Sequence, residues 1–137
     1  MDDEEKRIAK ALDTHEVPSV NKKSLLKYRT YLLAQLDKGT VLTGREDFPW
    51  EEKYVIGPGS QVEYEQLKKK NPSYKDEYKL FGISEEYFED NDLMAQVERL
   101  SDKKRFEIGL SWLTTKDEKS KDFQLFDDFA TWVVNWR

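Results

Sequence analysis

The texture of the chain changes at Gly39, and that change limits the folds open to it. Before it, apolar residues recur at helical spacing; after it, they come in short pieces split by Gly and Pro. Leu25, Tyr28, Leu32, Gln35 and Leu36 follow one helical stripe, with Asn21 placed to cap its start and Gly39 to stop it. A shorter amphipathic pattern over residues 3–12 carries Ile8, Ala9, Ala11 and Leu12, and the stretch from Thr14 to Val20, with its Pro18, reads as a linker. Beyond Thr40, Val41–Thr43 and Tyr54–Ile56 look like strands, and Gly57-Pro58-Gly59 is a turn. Ser60 and Glu63 form a capping box ahead of Tyr64 and Leu67, which predicts a helix over 61–70 ended by Asn71-Pro72. Tyr74–Ile83 is expected to be a strand.

Two further runs alternate at period two, Leu93-Ala95-Val97 and Phe106-Ile108-Leu110, around a turn at Ser101–Lys103. They predict a hairpin, followed by a short helical turn at Ser111–Leu113. The tail carries two patterns. Phe126, Phe129, Val133 and Trp136 fit a helix, whereas Ala130, Trp132, Val134 and Trp136 fit a strand. A helical turn around Asp127 and Asp128, then a strand from Thr131, is the expected outcome. Together these elements predict an α+β fold: a small SH3-like β-barrel (40–137, with the short helix 61–70) behind a helical N-terminal part (1–39).

Hydrophobic and charged residues each make up 37% of the 137 residues, so the core must be thin. Aromatic side chains, 13% of the chain, supply the buried area that aliphatics do not, and argue against a disordered acidic chain. With 28 acids against 23 bases the net charge is −5, which disfavours nucleic-acid binding, a function that draws on cation–phosphate contacts. The absence of cysteine excludes disulfides, thiolate metal sites and thiol nucleophiles. The opening Met1-Asp2-Asp3-Glu4-Glu5 is unlike a secretory leader, and no apolar run approaches the ~20 residues of a membrane span. A cytoplasmic, monomeric protein without membrane or nucleic-acid partners is the expectation.

The segment Gly44-Arg45-Glu46-Asp47-Phe48-Pro49-Trp50-Glu51-Glu52 packs four carboxylates around two aromatics and a proline. Rings that turn inward and a proline that stiffens the turn would hold these acids close together, where they repel unless a cation enters. Ca²⁺, which takes oxygen ligands, is the natural candidate. A second acidic pair, Asp127-Asp128, is bracketed in the same way by Phe126 and Phe129. Asp37 ends the long helix, where a carboxylate meets the negative end of the dipole. The metal ligands expected on this basis are Asp37, Asp47, Glu51, Asp127 and Asp128, with Glu46 and Glu52 behind them. The ordinary alternative is a solvated edge paired with Arg45 and Lys53. The run Glu85, Glu86, Glu89, Asp90 and Asp92 reads as a solvated connection between strands, or as a secondary cation site.

No EF-hand register exists: counting from Asp90 puts Ala95 sixth and Ser101 twelfth, and counting from Asp37 puts Phe48 twelfth. Ligands would have to come from separate segments. Catalysis is not expected. The one histidine, His15, lies in the linker, and Gly57-Pro58-Gly59-Ser60 lacks the lysine and spacing of a phosphate loop. Lys68-Lys69-Lys70 suits the C-terminal end of a helix.

The 44–52 segment, together with Gly57-Pro58-Gly59-Ser60-x-x-x-Tyr64 and the closing Leu125-Phe126-Asp127-Asp128-Phe129-Ala130-x-Trp132-x-Val134-Asn135, resembles the cyanobacterial calcium-binding protein family of the CcbP type. The resemblance runs from about Leu12 to the C-terminus. It implies a small acidic α+β protein that binds Ca²⁺ through surface carboxylates, and a calcium-buffering role linked in that family to heterocyst differentiation. The function expected is thus a non-enzymatic calcium buffer or sensor working through an acidic groove. The alternative is an SH3-like interaction module with no specific metal site, in which Tyr54, Tyr64, Tyr74, Tyr78, Trp112 and Trp132 line a peptide groove instead of filling the core.

Overall fold

The computed structural model describes the backbone of residues 1–137 and every side chain except that of Tyr87. Helix α1 (Asp3–Leu12) opens on Asp2, whose carboxylate accepts the Glu5 amide at 2.8 Å. Three acids in its first turn suit the positive end of the helix dipole. Helix α2 (Lys22–Gln35) starts with a reciprocal pair: Asn21 accepts the Ser24 amide at 3.0 Å while the Ser24 hydroxyl accepts the Asn21 amide at 2.9 Å. Strand β1 (Val41–Gly44) leads into a long connection holding a 3-10 turn (Pro49–Glu51), α3 (Glu52–Val55) and α4 (Gln61–Leu67). Strands β2 (Tyr78–Glu89), β3 (Asp92–Arg99) and β4 (Arg105–Gly109) form a meander. A 3-10 turn (Leu110–Trp112), β5 (Leu113–Thr115) and α5 (Phe123–Asn135) complete the chain.

The strands pair antiparallel in the order β4-β3-β2-β1-β5. The α+β class is thereby that expected from the sequence. Strands β4 and β5 are the two edges of the sheet, which is not closed into a barrel. Strand β2 is the longest, and its register with β3 shifts twice, between Leu80 and Gly82 and between Ile83 and Phe88. Such shifts bend a strand and increase its twist. At Gly44 the long β1–β2 connection returns against the strand: its amide donates to the Tyr74 carbonyl at 2.9 Å, and a Cβ there would stand 2.4 Å from Tyr74 Cα. Glycine is what permits that approach.

One core unites sheet and helices. Leu42, Tyr78, Ile83, Leu93, Val97 and Leu113 from the strands meet Phe126, Phe129, Trp132 and Val133 of α5. Tyr28 of α2 packs edge-on against Phe129 at 5.0 Å and beside Trp132 at 5.1 Å, and Ile8 and Leu12 of α1 close the same cluster. The linker before α2 is fastened to α5 at two points, Trp132 Nε1 to the Pro18 carbonyl (2.9 Å) and the Val20 amide to the Trp136 carbonyl (2.7 Å). No helix is long and apolar enough to cross a membrane.

Three local expectations are corrected. Tyr54–Ile56 is not a strand: Tyr54 and Val55 close α3, the Tyr54 ring stacks on Tyr64 at 5.3 Å, and Val55 and Ile56 face solvent. Both neighbours of β1 are taken by β2 and β5, so this β-branched pair does not pair beside the strand it follows in the chain. The tail is helical through Asn135, because the helical stripe is the one buried and Val134 is exposed. The acidic run 85–92 is neither loop nor helix but the end of β2 and the turn into β3. That turn is two residues long, Asp90 and Asn91, both left-handed (φ 52° and 57°), as a twisted hairpin requires.

Candidate metal centre

Helix α5 buries the stripe Phe126, Phe129 and Val133, and this rotation sets the fate of the acidic pair between them. Asp128 is carried inward and is 4% exposed, whereas Asp127 sits half-buried at the rim. Helix α1 runs against α5, and Glu4 lies one turn before Ile8 and two before Leu12, so it extends the buried stripe toward Asp128. Carboxylate oxygens of Glu4, Asp127 and Asp128 all lie within 4.8 Å of one another, the one such grouping among the described residues.

Two guanidinium groups attend this cluster. Arg7, the next turn of α1, grips Asp128 at two points, Nε to Oδ2 at 2.8 Å and Nη2 to Oδ1 at 3.1 Å. Arg45, just past β1, donates from Nη1 to Asp127 Oδ1 at 2.9 Å, while its Nε and Nη2 are buried without a hydrogen-bond partner. The Glu4 carboxyl is raised above its ordinary range, by burial first, then by its hydrogen bond with Asp128 and the negative charges of Asp128 and Asp127. The Arg7 guanidinium is also raised, chiefly by its hydrogen bond to Asp128.

The cluster has the span of a calcium coordination shell. Oxygens on opposite sides of a Ca²⁺ ion at 2.3–2.6 Å are roughly 5 Å apart. Three acids set against two guanidiniums leave about one uncompensated negative charge, far less than a dense acidic loop offers. An ion would use carboxylate lone pairs that Arg7 and Arg45 leave open, or would displace them.

Of the five ligands expected from the sequence, Asp127 and Asp128 come together; Asp37, Asp47 and Glu51 do not join them. Asp37 is exposed and its Oδ1 accepts the Gly39 amide at 2.9 Å. Its own amide donates to Asp122, a fully buried carboxylate that also holds the Thr40 hydroxyl at 2.7 Å, so this acid closes the α2–β1 turn. Asp47 is half-buried in the loop before the 3-10 turn, and Glu46 and Glu52 are exposed. Glu51 is fully buried and takes four donors: the Tyr64 and Ser73 hydroxyls on Oε2 (2.6 and 2.7 Å), and the Tyr74 and Phe48 amides on Oε1 (2.8 and 3.3 Å). With its lone pairs so occupied, Glu51 ties the β1–β2 connection together and has none left for an ion. Of the five acids in the 85–92 run, only Asp92 is buried, held by the Ser111 amide and hydroxyl.

Glu4 is the carboxylate of this cluster that the sequence reading missed. Its signal was present: an acid at the position where the Ile8–Leu12 stripe, extended one turn back, would next be buried. Comparison of the chain with family models, with curated proteins and with solved structures finds no match.

Proposed function

We propose that this protein is a non-enzymatic calcium-binding protein whose ion is held by Glu4, Asp127 and Asp128. The observation that carries the reading is the convergence of three carboxylates, from helices at opposite ends of the chain, within 4.8 Å. The resemblance to the CcbP-type calcium-binding family at the 125–135 motif supports it. Carboxylates supply part of the shell and water the rest, as in open calcium sites. Because Arg7 and Arg45 already offset most of the charge, affinity belongs to the weak class, with Kd on the order of 10⁻⁴ to 10⁻³ M.

An ion at this place joins α1 to α5 and so raises the stability of the fold it binds. The fold itself we read as an SH3-like barrel opened between β4 and β5. Support comes from the strand order β5-β1-β2-β3-β4, the bent β2, and the 3-10 turn between β4 and β5. The test is calorimetric titration with Ca²⁺ at near-physiological salt, Mg²⁺ competing, on the native chain and on Asp127→Asn and Glu4→Gln. Saturable binding that survives Mg²⁺ and weakens at least several-fold in both variants is expected. Equal binding by all three chains would overturn the assignment.

A further inference from the structure

A groove of about 630 Å³ lies between the segment Phe48–Trp50, the β2–β3 turn and the 3-10 turn after β4. Its volume falls in the range of ligand-binding clefts. Its apolar part is built from rings that are fixed in place. Phe48 is buried and meets Trp112 edge-on at 6.5 Å, and Trp50 is fastened by its indole N–H to the Pro72 carbonyl at 2.7 Å. Both tryptophans remain half-exposed. Gly109 lets the floor close: a Cβ there would stand 2.7 Å from Asp92 Oδ2 and 2.9 Å from Trp112 Cδ1.

The rim is acidic. Asp90 in the hairpin turn and Glu107 on β4 are exposed, Asp92 lies buried below them, and the one cation of the lining is Arg137. Glu107 is two residues along β4 from Gly109, roughly 7 Å at strand spacing, so the negative charge is spread along the groove. These acids do not converge on a single point as Glu4, Asp127 and Asp128 do. Spread charge beside fixed aromatic faces complements several cationic groups on an extended chain. A phosphate-bearing ligand or an anionic membrane would meet repulsion. Lysine and arginine side chains gain further from lying over indole rings.

We propose that this groove docks an extended segment of a partner protein in which arginine or lysine alternates with apolar residues. Proline suits the apolar positions, because a chain already held extended loses less freedom on docking. The site is independent of the calcium reading: none of its residues belongs to the Glu4, Asp127 and Asp128 cluster.

The probe is a synthetic decapeptide of leucine, proline and arginine, with a control in which glutamate replaces arginine. Binding is followed by calorimetry and by the indole N–H signals of the protein in NMR spectra. The arginine peptide is expected to bind saturably, to shift the Trp50 and Trp112 signals, and to leave the buried Trp132 unmoved. Glu107→Lys and Asp90→Lys, both at exposed positions that leave the core intact, are each expected to weaken binding at least tenfold. The control peptide is expected not to bind. Absence of saturable binding into the millimolar range, native-like binding by both lysine variants, or equal binding of the glutamate peptide would each overturn the proposal. So would a concentration-dependent dimer that buries Trp50 and Trp112, since the occupant would then be a second copy of the chain.

Discussion

Arg7 and Asp128 stand 121 residues apart in sequence and meet in a two-point ion pair, with the aspartate almost wholly buried and the arginine at the surface. The pair fastens the first helix to the last. It also occupies oxygens that the proposed calcium ion would need, so the same contact would stabilise the ion-free fold and limit calcium affinity. Arg7→Ala leaves a buried carboxylate without its partner and should cost about 1–3 kcal/mol in EDTA. The variant should bind Ca²⁺ several-fold more tightly than the native chain, and saturating Ca²⁺ should recover much of the lost stability. Thermal melts with EDTA, Mg²⁺ and Ca²⁺ read both effects. A loss of stability that Ca²⁺ does not repair would mean that Arg7 is purely structural.

Glu51 is a structural acid, held by four donors. Glu51→Gln turns an acceptor-only group among four donors into one that carries two N–H bonds of its own. The new amide N–H bonds face either the Phe48 and Tyr74 amides, which cannot accept, or the Tyr64 and Ser73 hydroxyls, which must turn and lose their acceptor. The expected cost is about 2–4 kcal/mol in urea unfolding, with calcium affinity unchanged in whatever fraction remains folded. A variant as stable as the native chain would show that the carboxylate is not the anchor of the β1–β2 connection.

What the sequence disclosed followed from local signals, and what it hid followed from tertiary ones. The Asn21 cap, the Ser60–Glu63 cap and the alternation in β3 and β4 were legible because each is settled within a few residues. The β2–β3 hairpin was not. Its turn, Asp90-Asn91, sits inside an acidic run that resembles a solvated loop, and β2 itself is broken by two register shifts that erase its alternation. In the tail both periods were written into the residues, and the helix prevailed because Tyr28 and the sheet offered a surface for Phe126, Phe129 and Trp132. For the site, the aromatic neighbours of Asp127 and Asp128 drew attention to a pair that the fold brings together with Glu4. The same reasoning misplaced Glu51, because burial between Phe48 and Trp50 drew it into a hydrogen-bond network instead of toward an ion. Glu4 required knowing that α1 crosses α5.

Arg99, like Glu51, is a buried charged residue that fastens the β1–β2 connection. It is 3% exposed and its guanidinium donates to Asp76 and Asp102 and to the carbonyls of Lys68, Lys69 and Asn71, while lying over Phe106. It thereby caps the C-terminal end of α4, where unpaired carbonyls favour a cation. Lysine has three donors on a point charge and cannot reproduce this fork. Arg99→Lys should cost about 2–4 kcal/mol and speed amide exchange selectively in α4 and the β3–β4 turn. The Arg99 hydrogen bond holds the Asp102 carboxyl down to about 2, below its usual 3.8. The contribution of that pair is present above pH 4 and lost as pH falls toward 2. In Arg99→Lys this acid-limb dependence should flatten. Uniform exchange rates throughout the molecule would argue that Arg99 acts only on global stability.

Asp92 gives the opposite pH dependence. Burial raises its carboxyl from 3.8 to about 6, against the hydrogen bonds of Ser111 and the charge of Arg137, which pull the other way. Between pH 4 and 6 the folded chain keeps a proton that the unfolded chain has released, so stability falls as pH rises through that window. Above it the buried charge costs on the order of 2–3 kcal/mol. Asp92→Asn retains an oxygen for the Ser111 amide and hydroxyl and removes the charge. Relative to the native chain, its stability should therefore rise by a similar amount between pH 4 and pH 7. The other charged groups facing this position, Glu89, Asp90, Glu107 and Arg137, are common to both chains, so their titration cancels in the difference to first order. Urea unfolding of both proteins across that range makes the measurement. Parallel stability curves would mean that Asp92 titrates in the folded chain much as it does in the unfolded one.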